Sequence, residues 1–437
     1  HEFGSYYCSL PDISLISKFT GVIDPTWLDQ KKRWVEDSQL ATAYSQYVQN
    51  SQRLQMIGRK YQIERARRNS DVTGYHYWLI LDYPGGTGEG DSWEEGWFDY
   101  FWRPKNIEPR EGQEVNSAVL LMIGAGVGDR TMWNDARKSV DVLVSNYGDD
   151  AIRDGSIAWR LESAGRLLAS GSLTEVNAGL GEVRRVGALT IGPVGSAQAQ
   201  KLTLVLTLQS GARTYTNRWN LWSFPRDLAR SVATPVTTNL RWAGLPRLYP
   251  FIGDGGSRRP DSLSVTSALD REAADLLKHG GTVLLLADRA QFERSGDASF
   301  FPASGGALGT VVAQHPALNG FPHDGMFDLQ FYNLLEGAWS FSIDQWPKEV
   351  VPIAGGIRTT SSFLSKTKNL SKVGYIVEAK VGQGKLLMTT LRIREHLDEA
   401  FPEAIYLFDR LLRYAGSTEF RPATALDDRQ LERLIVQ

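Results

Sequence analysis

Gly74-Tyr75-His76-Tyr77-Trp78-Leu79-Ile80-Leu81-Asp82-Tyr83 is the stretch on which the fold of this chain turns. Its apolar and aromatic residues run on from Tyr75 to Tyr83 and read as a buried strand, closed by the Gly-rich loop Pro84 to Gly90. Upstream, from Asp24 to Asn69, the period changes. Trp34, Leu40, Tyr44, Tyr47, Val48, Leu54 and Ile57 recur at threes and fours, with Asp24-Pro25 as cap and first-turn proline, so this segment reads as helix with a break near Asp37-Ser38. A strand following a long helical segment is the repeat of an α/β barrel.

Two further regimes follow. From Glu114 to Pro225 short alternating runs (Ala118 to Ile123, Val140 to Asn146, Ile157 to Leu161, Leu202 to Leu208) are divided by Gly, Asn and Asp, the pattern of an immunoglobulin-like β-sandwich. Beyond Arg247, Ser262 to Val265 reads as strand, Asp270 to His279 as helix closed by Gly280-Gly281, and Thr282 to Ala287 as buried strand, which is a parallel βα arrangement. Tyr375 to Lys380 and Lys385 to Leu391 read as strands about Gly382-Gln383-Gly384, and Glu399 to Tyr414 as an amphipathic helix. The expected organisation is a multidomain α/β plus all-β chain. Residues 1–110 are the C-terminal part of a (β/α)8 barrel, 111–226 a sandwich, 232–417 a parallel-sheet α/β domain, and 418–437 a charged tail.

Composition narrows the function classes. With 437 residues, 42% hydrophobic and 22% charged, the chain buries large cores, and its formal net charge of -2 with scattered Lys and Arg gives no footprint for nucleic acid or an anionic membrane. The densest basic cluster, Arg65-Ala66-Arg67-Arg68, complements the negative end of the preceding helix. No stretch is long and apolar enough to cross a bilayer. Cys8, the single cysteine, pairs with nothing internally, and 6 His with 1 Cys lack metal-site spacing, so no metal and no cofactor are expected. Val119-Leu120-Leu121-Met122-Ile123-Gly124-Ala125-Gly126-Val127-Gly128 imitates the strand and glycine turn of a dinucleotide site. Asp129 is followed by strand-like sequence where that fold opens a helix.

The chemistry sits at the front of the chain. Retaining glycoside hydrolysis needs two carboxyl groups about 5–5.5 Å apart, one a nucleophile and one an acid and then a base. Glu2, followed by Phe3-Gly4 and the rings of Tyr6-Tyr7, has the chemistry of the nucleophile: a carboxylate at a strand end, a Gly admitting close backbone approach, and aromatics to exclude water.

His1-Glu2-Phe3-Gly4 resembles the Glu-Tyr-Gly nucleophile motif of glycoside hydrolase family 2, the β-galactosidases and β-glucuronidases. Tyr77 to Tyr83 resembles that family's eighth barrel strand, and Gly96-Trp97-Phe98-Asp99-Tyr100-Phe101-Trp102-Arg103-Pro104-Lys105 is similar to the stretch that follows it. The resemblance implies Glu2 as nucleophile and Trp78 as the platform under the cleaved sugar. It also suggests His1, Tyr6, Asp82, Trp93 and Trp97 as substrate contacts, with an oligo- or polysaccharide as substrate. That family's acid/base precedes the seventh strand, so no carboxylate of this chain takes that role, and the isolated chain is expected to be inactive. The last α/β region resembles the glutamine-amidotransferase-like assembly domain of some barrel glycosidases. Without a Cys nucleophile there, it is expected to be non-catalytic, with His315 and His323 as loop residues, and to mediate homo-oligomerisation. A chain opening without Met at a strand tip reads as part of a longer product, with export signals outside it and a periplasmic or extracellular location favoured over a cytoplasmic one. The alternative is a non-catalytic carbohydrate-binding or assembly protein that keeps barrel elements as scaffold.

Overall fold

The computed structural model describes residues 3, 9–84, 92–240, 244–254, 261–287, 298–301, 307–359 and 370–435. After a 3-10 turn over Ile13–Lys18, capped by Asp12, come α1 (Thr26–Asp37) and α2 (Tyr44–Arg68), with the expected break after Asp37. Pro25 is the N-cap of α1 rather than a residue of its first turn, and Asp24 receives the Thr26 N–H through its main-chain oxygen at 2.9 Å. The predicted strand Tyr75 to Tyr83 is extended but is not a continuous sheet strand. Tyr77 bridges Phe3 in parallel, Leu81 bridges Phe98, and only Tyr83–Pro84 (β1) pairs with Ser92–Trp93 (β2). Extended backbone becomes a ladder only where a neighbour offers successive partners, and among the described residues the bridges at Phe3 and Phe98 are single. Helix α3 (Pro109–Val115), with a capping box between Glu108 and Glu111, closes this portion.

Eight strands follow: β3 (Val119–Ile123), β4 (Thr131–Trp133), β5 (Lys138–Asn146), β6 (Ile152–Ser163), β7 (Arg166–Ala178), β8 (Glu182–Ile191), β9 (Gln200–Ser210) and β10 (Arg213–Phe224). They form a three-stranded sheet, β3-β5-β8, and a five-stranded sheet, β4-β10-β9-β6-β7, antiparallel except for β4 beside β10. Alternate side chains such as Val140, Val142 and Val144 from one sheet and Leu202, Leu204, Leu206 and Leu208 from the other share one core, as period-2 sequence requires.

The last unit is a ten-stranded mixed sheet. Its strands are β11 (Val236–Thr238), β12 (Gly253–Asp254), β13 (Leu263–Thr266), β14 (Thr282–Leu286), β15 (Ala307–Val312), β16 (Phe341–Ser342), β17 (Ala354–Thr359), β18 (Leu370–Val381), β19 (Gly384–Thr389) and β20 (Ala425–Leu426). The helices of this unit are α4 (Leu245–Leu248), α5 (Arg271–Lys278), α6 (Tyr332–Leu335), α7 (Pro402–Ala415) and α8 (Asp428–Glu432). Pairing is parallel from β12 through β11, β13 and β14 to β19, then antiparallel through β18 and β17 to β15, so the expected parallel sheet is parallel in one half only. The cause is local. The tight turn at Gly382 (φ +59), with Gly384 too close to the Leu277 carbonyl for any Cβ, folds β18 straight back onto β19, and a turn that short joins only antiparallel strands. Residues 418–435, expected as a tail, pack into this unit: β20 joins β18, Asp427 caps α8, and Phe420, Leu426, Leu431 and Leu434 are buried.

Helix α2 binds all three parts. Asn50 Nδ2 donates to the Thr310 and Gly325 carbonyls at 2.6 and 3.0 Å. Arg67 donates to the carbonyls of Ser117, Ala118 and Ser145 and to the Ser145 hydroxyl, and Arg68 to the Ile123 carbonyl, so the basic cluster does more than complement a dipole. Glu64, buried at 4% exposure, takes Lys60 Nζ at 2.8 Å, Trp219 Nε1 at 2.9 Å and Asn217 Nδ2 at 3.2 Å. Glu64→Ala strips the acceptor from three donors at once and is expected to cost about 3 kcal/mol or more. Glu64→Gln, which keeps one oxygen, costs less. Urea unfolding midpoints of the three proteins check the order.

Candidate functional site

Alternation along the Tyr75–Leu81 segment decides which face is available. Tyr75, Tyr77, Leu79 and Leu81 are half-buried, whereas His76, Trp78 and Ile80 are exposed, Trp78 at 36% and Ile80 at 58%. The covered face packs with Phe3, Trp97, Met56 and Ile63. The open face carries Trp78, edge-on to Tyr83 at 6.4 Å. The segment is held in register with the chain's front by Phe3 N–H to the His76 carbonyl at 2.9 Å and Trp78 N–H to the Phe3 carbonyl at 2.7 Å. The Trp78–Leu79 peptide bond is cis.

Beneath this segment lie two buried cations. Arg59, 1% exposed, reaches from α2 to donate through Nη2 to the carbonyls of Glu95 and Gly96, both at 2.6 Å, and its guanidinium lies 4.8 Å from the Trp97 ring and 5.9 Å from the Tyr77 ring. Lys105, 3% exposed, donates to Asp82 Oδ1 at 2.8 Å and to the Glu94 carbonyl at 2.9 Å. Gly96 N–H also donates to Asp82 Oδ1, at 2.7 Å. Gly96 has to be glycine, because a Cβ there meets the Asp82 nitrogen at 2.3 Å and the Phe98 carbonyl at 2.5 Å. The Glu94 carbonyl also receives Gln55 Nε2 and Ser9 N–H, each at 2.9 Å, while the Glu94 carboxylate takes the Tyr100 hydroxyl at 2.8 Å. Burial pushes the Asp82 carboxyl up to about 6 against the pull of Lys105, and burial lowers the Lys105 ammonium against the pull of Asp82. The Tyr77 phenol, also buried, is pushed up to about 12.

The expected contacts therefore separate. Glu2, His1 and Tyr6 lie outside the described residues, as does the side chain of Trp93, whose backbone pairs with Tyr83 in the β1–β2 hairpin. Trp78 stands on the open face. Asp82 is a buried anchor for Lys105 and the Gly96 amide, 4% exposed, rather than an accessible acceptor for sugar hydroxyls. Trp97 packs edge-on to Tyr77 at 5.6 Å, within a cleft of about 380 Å³ on the covered side. Arg59 and Lys105 were missed by the sequence reading. Gln55 and Arg59, four apart on α2, present polar groups on an otherwise inward face, and Lys105 ends the Arg103-Pro104-Lys105 close; both were signals of a buried polar floor. His315 and His323 accept turn N–H groups from Ala317 and Gly325, each at 3.2 Å. Among the described residues no His, Cys, Asp and Glu group has the geometry to hold a metal ion.

Asp82 gives this floor a pH signature. Its carboxyl, ordinarily near 3.8 and here about 6, binds its proton more readily in the folded than in the unfolded chain. Its contribution to stability is thus full below about pH 4 and lost as pH rises through about 6, worth up to about 3 kcal/mol. Urea unfolding at a series of pH values is expected to show this falling limb in the wild type and its loss in Asp82→Asn.

Comparisons with known proteins follow the divisions of the fold. Residues 137–225 match a family described as a domain of unknown function (DUF8488), and residues 264–436 another so described (DUF8487). No curated protein matches. Among solved structures, the chain is similar to the exo-chitosanase CsxA of Amycolatopsis orientalis, at 16% identity over 41% of this chain and 20% of that one, with a TM-score of 0.25. It is also similar to the β-glucuronidase of Parabacteroides merdae, at 12% identity over 39% and 24%, TM-score 0.18. A third is the sporulation control protein Spo0M of Bacillus subtilis, at 11% identity over 24% and 48%, TM-score 0.19. The chain spans about a fifth to a quarter of the length of the two glycosidases, and with every TM-score below 0.5 the functional reading rests on the chain's own residues.

Proposed function

We propose that this chain supplies the nucleophile side of a retaining exo-β-glycosidase site acting on oligo- or polysaccharides, with Glu2 as the attacking carboxylate and Trp78 as the platform beneath the sugar. The observation that carries the reading is the parallel pairing of Phe3 with Tyr77, together with the alternation that leaves the Trp78 face open. Adjacent parallel strands are how a barrel sets carboxylates side by side at one mouth, and the tripeptide Glu2-Phe3-Gly4 is centred on the residue that makes the bridge. An indole offers the CH-rich face of a sugar a large rigid contact. Arg59 and Lys105 serve as the support that fixes this segment from behind, not as groups that touch substrate.

In the same reading the two-sheet unit is an immunoglobulin-like domain, and the mixed-sheet unit an amidotransferase-like module that assembles copies of the protein and carries out no chemistry. The partner carboxylate, the acid and then base, is assigned to no residue of this chain, and the chain by itself is inactive.

A 2-deoxy-2-fluoro glycosyl fluoride traps the glycosyl-enzyme of a retaining glycosidase. In a preparation that turns over β-glycosides, peptide mapping is expected to find the label on Glu2 and to find none in Glu2→Gln; a label on another carboxylate removes the assignment. Trp78→Ala, at a side chain with one open face, is expected to fold normally and weaken binding of β-linked disaccharides by about ten-fold, read by titration calorimetry.

A further inference from the structure

A second cleft, of about 380 Å³, lies where the three parts of the chain meet. One wall is α2, with Tyr61, Arg65 and Arg68; another is the glycine-rich loop 125–128 with Arg130; the third is Tyr332 of α6. None of these residues belongs to the Trp78 face.

Its charge is unbalanced. Arg65, Arg68 and Arg130 make no ion pair among the described residues. Arg130 is 5% exposed, its main chain is pinned by Trp222 N–H to its carbonyl at 2.9 Å, and its Nε donates to the Gly126 carbonyl at 2.9 Å. Its Nη1 is buried and has no hydrogen-bond partner, and the same holds for Nε of Arg68, whose Nη2 is spent on the Ile123 carbonyl at 2.7 Å. Burial acts most strongly against the charge on Arg130; Glu64, and more weakly Asp129 and Asp328, act for it, and the neighbouring Arg68 acts against it. Glu64, the carboxylate lining the cleft, already receives Lys60, Asn217 and Trp219. Asp129 is 62% exposed and paired with Lys138, and Asp328 takes Asn220 and the Leu329 N–H. A buried guanidinium with an idle donor is costly unless something pairs with it.

The loop between β3 and β4 is shaped to leave room. No atom lies within 4 Å of where a Cβ on Gly126 would stand, whereas one on Gly128 would meet Asn333 Oδ1 at 2.7 Å. Asn333 Nδ2 donates to the Gly128 carbonyl and to Glu403 Oε1, each at 2.9 Å, so the loop is held to the third unit before any ligand arrives. Tyr61 stacks on Phe301 at 5.3 Å, and Tyr332 packs on the same ring at 6.2 Å, which gives the cleft an aromatic flank beside its cations. The Gly124-Ala125-Gly126-Val127-Gly128 turn, which imitates a dinucleotide site in sequence, is followed by strand β4 rather than by a phosphate-binding helix. The positive charge beside it comes from side chains instead.

We propose that this cleft binds a small metabolite through an oxyanion, phosphate or carboxylate, held between Arg68 and Arg130, with the rest of the ligand against Tyr61 and Tyr332. A carboxylate or phosphate oxygen accepts from the idle guanidinium donors and relieves the repulsion between the two arginines. Because the walls come from three parts of the chain, occupancy stiffens their arrangement.

Calorimetric titration of the chain at constant ionic strength, with inorganic phosphate, glucose 6-phosphate, glucuronate and uncharged glucose, tests the site. Saturable one-site binding is expected for the phosphates or for glucuronate, and which of them binds identifies the anion; glucose is expected not to bind. Arg130→Gln and Arg68→Gln are each expected to weaken binding by about ten-fold or more. Arg65→Ser, at an exposed position that leaves folding unchanged, is expected to weaken it by about three-fold and to lower its salt dependence. No saturable heat from any of the anions up to about 10 mM, or binding equal in wild type and Arg65→Ser and Arg68→Gln, overturns the proposal.

Discussion

The structure depends on the way polar side chains of α2 are spent inside the molecule. Glu64 is the plainest case, a carboxylate with 4% exposure that receives an ammonium, an indole N–H and a carboxamide. Burying that charge is tolerable only because all three donors converge on it. The same helix sends Asn50 to the last sheet, Arg59 under the Trp78 segment, Arg67 to β5 and the approach to β3, and Arg68 to β3. A helix of 25 residues that buries Asn50, Ser51, Gln55, Arg59 and Glu64 among its apolar side chains is not held by amphipathic packing alone. It is held by bonds to three different partners, and two of these, the sandwich and the last unit, also bond directly to each other through Asn333 to the Gly128 carbonyl and Thr131 to Glu403.

The Trp78 segment shows the consequence. It is extended, with single bridges in place of a ladder among the described residues, so sheet pairing alone does not fix its position. Arg59 and Lys105 do that from below, by occupying the carbonyls of Glu94, Glu95 and Gly96 and the carboxyl of Asp82. Each cation is desolvated, and each has its donors directed at oxygens that the turn around Gly96 presents. The result is a fixed backbone with one face covered by rings and the other open.

Legibility in the sequence varied with the kind of signal. The strands of the sandwich and the β13–α5–β14 unit were readable because burial of one face imposes a period, and Asp270 and Gly280-Gly281 mark the helix ends chemically. The break after Asp37 was readable because the periodic segment is too long for one typical helix. The Trp78 strand was over-read, since an apolar run cannot say how many neighbours it will find. The tail was under-read: Phe420, Leu426, Leu431 and Leu434 are spaced too widely to look like an element, yet each finds a place in a core or against a strand made far upstream. In the candidate site, Trp78 was legible only as an aromatic within an apolar run, and its exposure was not. Asp82 was legible as a carboxylate but not as a buried one.

The sequence by itself determined the order of the three regimes and the helix and strand periods, because period, capping and turn residues act within a few positions along the chain. Only the tertiary structure decided which polar groups are spent and which are idle. Asp82 with Lys105, Glu64 with its three donors, and Arg130 with an unpartnered nitrogen are charged residues of the same kinds in the sequence. What separates them is the company they meet across 23, 155 or more positions of chain, and the energy of a buried charge is set by that company rather than by the residue.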